Sequence, residues 1–232
     1  MAERRGRVLR PPRWGVPDGV ITIVGALLTS IVVAVGLTGA NLGLATVLLL
    51  GTVTPWFFLI GWPLYATRSR GNGALDLGWR FTPADLGWGL LGGVVALLAS
   101  VLAALVTSLF VPDLESAAGQ VAEEIADSGA AWQLYLFALV ALIGAPIAEE
   151  IAFRGMLWAG LRKAGWGAWA TGVTVTLVFA VFHFEPTRLL ILLAIGAVLA
   201  VLRSRTRALG APIVAHAINN TPGALAILAL TQ

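Results

Sequence analysis

His183 and His216 are the only histidines in the chain, and each sits in a stretch that otherwise reads as a membrane-spanning helix. A third such stretch carries the adjacent carboxylates Glu149 and Glu150, with Arg154 four residues after the second. An ionisable group in hydrocarbon costs about 2.5–3.5 kcal/mol even on lenient insertion scales, so its presence there points to function. Two imidazoles, two carboxylates and an arginine on three helices predict one buried reaction centre. The chemistry they permit is hydrolysis, by either of two routes. In the first, Glu149, His183 and His216 hold a zinc ion whose bound water is acidified and attacks a carbonyl. In the second no metal takes part: Glu149 activates water with His183, and His216 and Asn220 donate hydrogen bonds to the developing oxyanion. The chain has no His-Glu-x-x-His, which argues against an ordinary zinc-protease helix but not against dispersed ligands.

Local spacing gives each group a direction. Glu150 and Arg154 are i,i+4 on a helix and close enough to pair, whereas Glu149 points about 100° away and is free to face something else. Pro146, helped by Gly144, can loosen the helix just before the acids and release backbone groups. His183 closes the run Phe179-Ala180-Val181-Phe182-His183, and His216 shares a helix face with Asn220.

The elements that carry these groups must be membrane helices. The chain is 232 residues long, 58% hydrophobic and 12% charged, with mean hydropathy +0.88. Soluble domains run near 25% charged, so this composition marks an integral membrane protein. A helix needs about 20 apolar residues to cross hydrocarbon. Spans are expected at 19–38, 42–65, 87–111, 131–148, 167–183, 188–202 and 209–230, an all-α polytopic bundle of about seven helices. Residues 155–166 should continue the fourth helix toward the interface, and Thr82-Pro83-Ala84-Asp85 is a helix-start signature. The first span is expected to be retained, not cleaved as a signal peptide.

The pI near 10.2 comes from topology-setting arginines. Five (Arg4, Arg5, Arg7, Arg10, Arg13) precede the first span, and Arg203, Arg205 and Arg207 form a second cluster. With the N-terminus cytoplasmic, Arg68, Arg70, Arg80, Arg162 and Lys163 join them inside, while the 112–130 loop holds five acids and no Lys or Arg. No nucleic-acid motif accompanies the charge. The absence of cysteine excludes thiolate chemistry and leaves His, Asp and Glu as metal ligands. No repeat or linker divides the chain. It reads as a basic segment (1–18), N-terminal helices with a polar loop (19–130) and the motif-bearing helices (131–232).

Glu-Glu-x-x-x-Arg, Phe-x-x-x-His and His-x-x-x-Asn, in this order on successive spans, resemble the CPBP (CAAX protease and bacteriocin-processing, or Abi) intramembrane proteases. Ala145-Pro-x-x-Glu-Glu-x-x-Phe-Arg-Gly155 is typical of the bacterial branch. The resemblance covers about residues 131–225 and leaves no motif residue missing. It implies an endopeptidase with its site sunk in the membrane, acting on membrane-associated peptides or proteins, at a cell membrane. By the resemblance Glu149 and His183 activate water, His216 and Asn220 assist, and Glu150 with Arg154 positions the first motif. The family is described both as metalloprotease and as a metal-free glutamate protease, so the cofactor is zinc or none.

Two rival functions share these features. A catalytically silent immunity or scaffold protein could keep the fold, although it has no need to keep five ionisable groups in lipid. A proton-coupled transporter also uses membrane carboxylates, but transporters show internal repeats and paired broken helices. Phe153 and Phe179 are expected to be packing residues, Asn219 an interhelical hydrogen-bonder, and Glu185 and Arg188 ordinary interfacial charges. The acids at 115, 123, 124 and 127 read as a solvated face. One conflict stands: at 1.5 Å per residue His216 lies about 10 Å from the inner face and His183 near the outer end of its span. A shared site needs the two depths to converge.

Overall fold

The computed structural model describes all residues except 1, 2, 5, 6, 10, 38–41, 112, 113, 115, 129, 130 and 232. Arg5, Arg10, Asp113 and Glu115 of the expected basic and acidic stretches therefore lie outside the described residues. A two-residue antiparallel ladder, β1 (Glu3–Arg4) with β2 (Arg7–Val8), precedes an otherwise helical chain.

The helices follow the seven expected spans in order. The first is α1 (Val16–Leu37). The second is α2 (Leu44–Val53) leading through a π-helical turn, Phe57–Gly61, into α3 (Trp62–Arg70). The third is α4 (Pro83–Ser108), and a surface helix α5 (Ala117–Asp127) follows it. The fourth is one 33-residue rod, Ala131–Lys163, made of α6 (Ala131–Leu139), α7 (Ala145–Glu150) and α8 (Trp158–Lys163). The π-helical turns Val140–Gly144 and Ile151–Leu157 join its pieces. The last three are α9 (Ala168–Phe182), α10 (Leu189–Thr206) and α11 (Gly210–Ala229).

Five of these segments are long and apolar enough to cross a membrane. The other two, α9 and α11, are the ones that bear the histidines. α9 has 15 residues, or about 22 Å against the ~30 Å of hydrocarbon, so a helix entering at one face ends inside the bilayer. His183, the residue that caps α9, therefore need not stand at the far face, which relaxes the depth conflict posed by the sequence.

The bundle keeps an apolar core but also turns apolar side chains outward, as a lipid-facing surface requires, and encloses charged ones. Val32, Val35, Leu98 and Leu109 are exposed, whereas Glu150 and Arg154 are completely buried. α4 starts as its signature predicts, with Thr82 accepting from the Asp85 N–H and donating its hydroxyl to the Asp85 carboxylate at 2.6 Å. It then lies directly against α10 and α11 because glycines leave room. A Cβ on Gly89 would stand 2.5 Å from the Val214 side chain of α11, and one on Gly92 2.5 Å from Leu202 of α10. That contact fixes α11, and with it His216, against the rest of the bundle.

One end of the bundle gathers the basic residues. Lys163 donates to the carbonyls of Pro12 and Trp14, Arg70 pairs with Asp18, and Arg80 donates to the Thr206 carbonyl at 2.9 Å. The opposite end holds the Glu185–Arg188 pair, at 2.6 Å, and Glu185 also accepts from the Ala117 N–H at the start of α5.

Candidate active site

The widened turn before the acids has a local cause. Pro146 has no N–H to give the carbonyl four residues back, so the helix opens into the π-helical stretch Val140–Gly144. Gly144 is required there: a Cβ would sit 2.2 Å from the ring of Trp56, which packs against the turn. The loosening expected at Gly144 and Pro146 is present. A second π-helical turn, Ile151–Leu157, follows the acids and was not anticipated. Its Arg154 carbonyl accepts from Arg203 Nε of α10 at 2.7 Å, and Arg203 also donates to the Leu77 carbonyl at 3.1 Å.

Glu150 and Arg154 form the pair their spacing predicts, at 2.8 Å and with both side chains fully buried. Arg154 further donates to the Gly196 carbonyl of α10 at 3.1 Å and lies over the Phe179 ring. The same Glu150 oxygen that accepts from Arg154 lies 3.0 Å from His216 Nδ1. Since that carboxylate only accepts, the hydrogen is assigned to Nδ1 of His216. His183 is fixed in the same tautomer by a backbone acceptor, with Nδ1 2.8 Å from the Phe179 carbonyl. Phe179 also presents its ring edge-on to both imidazoles, at centroid distances of 4.7 and 5.8 Å.

Both Nε2 atoms then turn to one place. His183 Nε2 is 3.8 Å and His216 Nε2 is 3.7 Å from Oε2 of Glu149, a buried oxygen with no hydrogen-bond partner. The three groups face a cavity of about 570 Å³ whose wall also includes Ser100, Asn219 and Asn220. Asn220 donates from Nδ2 to the Ala141 carbonyl at 3.0 Å, taking up a backbone group of the first π-helical turn. Asn219 accepts from the Ser100 hydroxyl of α4 at 2.9 Å, so it joins helices as expected while also lining the cavity.

All six candidates, Glu149, Glu150, Arg154, His183, His216 and Asn220, thus fall in one region. Glu149, His183, His216 and Asn220 reach the cavity wall, while Glu150 and Arg154 stand behind His216. The contacts of Arg203, Ser100 and the Ala141 and Gly196 carbonyls were not legible in the sequence, because each joins residues at least 42 positions apart. The donor types suit a zinc-type ion: a carboxylate and two imidazoles whose Nε2 lone pairs face it. Among the described residues, however, no three His, Asp or Glu side chains cluster at metal-ligand spacing. If an ion binds, Glu149, His183 and His216 would hold it and it would acidify a water.

Comparison with known proteins falls on the same helices. Residues 131–222 match the family model described as type II CAAX prenyl endopeptidase Rce1-like. This stretch is of the CPBP type. A similar protein of Bacillus subtilis (strain 168), named "Putative membrane peptidase YdiL", is 33% identical over 86 residues. That alignment covers 37% of this chain and 35% of the relative, so the two share a segment and not a whole length. No solved structure matches the chain. Residues 1–130, including the Ser100 helix, lie outside the CPBP-type match.

Proposed function

We propose that this integral membrane protein is an endopeptidase that hydrolyses peptide bonds of membrane-associated proteins or peptides within the bilayer. The observation that carries the reading is the convergence of two tautomer-fixed Nε2 atoms on one buried, unpartnered oxygen of Glu149, on the wall of a large cavity.

Glu149 is the general base in this proposal. It takes a proton from a water whose oxygen attacks the scissile carbonyl carbon, and His183 Nε2 helps to hold that water. The carbonyl π electrons move to oxygen, and the oxyanion accepts from the remaining N–H of Asn220 and from Nε2–H of His216, which takes part in this step with a hydrogen on both nitrogens. His216 suits this role better than His183. Its Nδ1 is held by the Glu150 carboxylate, whereas that of His183 is held by a backbone carbonyl. Collapse of the intermediate breaks the C–N bond as Glu149 passes its proton to the leaving amine. The products are a new carboxylate and a new amine.

We propose further that residues 131–232 form the catalytic core and that the protein sits in the plasma membrane with its N-terminus cytoplasmic. The gathering of Arg70, Arg80, Lys163 and the end of α10 at one end of the bundle supports this orientation. A direct test uses reconstituted protein, a library of membrane-anchored peptides and ¹⁸O-labelled water. Label in new C-terminal carboxylates, absent with Glu149→Gln, is the expected result. No labelled product from any peptide would favour a silent immunity or scaffold role.

A further inference from the structure

A second hollow, of about 540 Å³, lies between α9 and α10 and shares no lining residue with the reaction cavity. Gly172, Val173 and Leu177 form one wall, and Leu193, Ala197 and Val201 the other. From Leu193 to Ser204 it runs about 16 Å along α10. The helices are close at Gly196, where a Cβ would stand 3.0 Å from Thr176, but they part at Gly172. A Cβ there would meet Ala200 and the Trp158 ring only at 3.8 Å, so helix packing does not demand that glycine. Empty apolar space facing a bilayer forfeits dispersion contacts on every wall, which favours an occupant of hydrocarbon.

Charge at one end narrows the occupant. Arg205 lies one helical turn beyond Val201, at the rim of the groove and not among the residues that line it; it is exposed and makes no side-chain hydrogen bond or ion pair with any described residue. Trp169, 83% exposed, stands at the same end on the facing helix, and indoles favour the headgroup level. Neither 151–184 nor 186–232 contains an Asp or Glu, so these helices supply no counter-charge of their own. The geometry points to a phospholipid site: the groove takes one acyl chain of an anionic glycerophospholipid, whose phosphate rests against Arg205 beside Trp169. This site stands apart from the peptidase reading.

The test reconstitutes the full chain into bilayers of phosphatidylcholine and phosphatidylglycerol in equal parts, then extracts it and counts retained lipid by native mass spectrometry. The native protein should retain phosphatidylglycerol in preference to phosphatidylcholine. Arg205→Ala should reduce that preference about five-fold, the effect of one basic residue near an anionic surface, while Arg205→Lys keeps it. Gly172→Leu should abolish retention of either lipid, and Ala197→Leu repeats the test should the first variant fold poorly. Unchanged retention in Gly172→Leu and Ala197→Leu, or unchanged headgroup preference in Arg205→Ala, overturns the proposal.

Discussion

His216 Nδ1 lies 3.0 Å from the Glu150 oxygen that also accepts from Arg154, so the second glutamate of the pair holds a histidine as well as an arginine. The two adjacent carboxylates thereby separate in role. Glu150 is spent inside the protein, and Glu149 is left facing both Nε2 atoms and the cavity. Placement of consecutive residues about 100° apart on a helix makes that division possible.

Glu149→Gln keeps the shape of the side chain and removes the base. Turnover of any identified substrate should fall by at least 10²–10⁴-fold, the usual contribution of a general base. The melting temperature in detergent should stay close to native.

Asn220→Ala should lower kcat about 10²–10³-fold with little change in KM, as expected for loss of an oxyanion donor. It also frees the Ala141 carbonyl, so a modest loss of stability should accompany the kinetic effect. A rise in KM at constant kcat would place Asn220 in substrate binding instead.

Breaking the Glu150–Arg154 pair should be costly. Arg154→Met leaves a buried carboxylate without its counter-charge, a loss of about 3–5 kcal/mol by analogy with other buried pairs. The double variant Glu150→Gln/Arg154→Met should recover part of that loss, which a thermal-denaturation cycle would read as non-additivity. Simple additivity would mean the pair contributes no coupling.

Chelation separates the two hydrolytic routes. Turnover that survives exhaustive chelation would assign the metal-free route, with Glu149 as base. Inactivation reversed by zinc, with about one ion per chain that is lost in His183→Ala, would assign Glu149, His183 and His216 as ligands.

Much of the site was legible because its signal is chemical. Charged and imidazole side chains in apolar stretches stand out by cost, and the i,i+4 spacing of Glu150 and Arg154 foretold their contact. The seven helical segments followed from hydropathy, and Thr82 to Asp85 marked the start of α4. What escaped were backbone effects. A π-helical turn differs from an α-turn by one residue of hydrogen-bond register, and Ile151–Leu157 carries no proline to announce it. Arg203 read as a topology signal, yet two of its donors are spent on the carbonyls of Arg154 and Leu77. The depth conflict between the histidines came from alternating seven spans across the bilayer, whereas α9, with 15 residues, supplies only about 22 Å of a ~30 Å crossing.

The most direct test of the central claim compares the N- and C-termini of the membrane proteome in source cells carrying the native protein or Glu149→Gln at equal abundance. Proteolysis predicts new termini, confined to the native cells, within or beside membrane segments of other proteins. Identical termini in both, across several growth conditions, would contradict it.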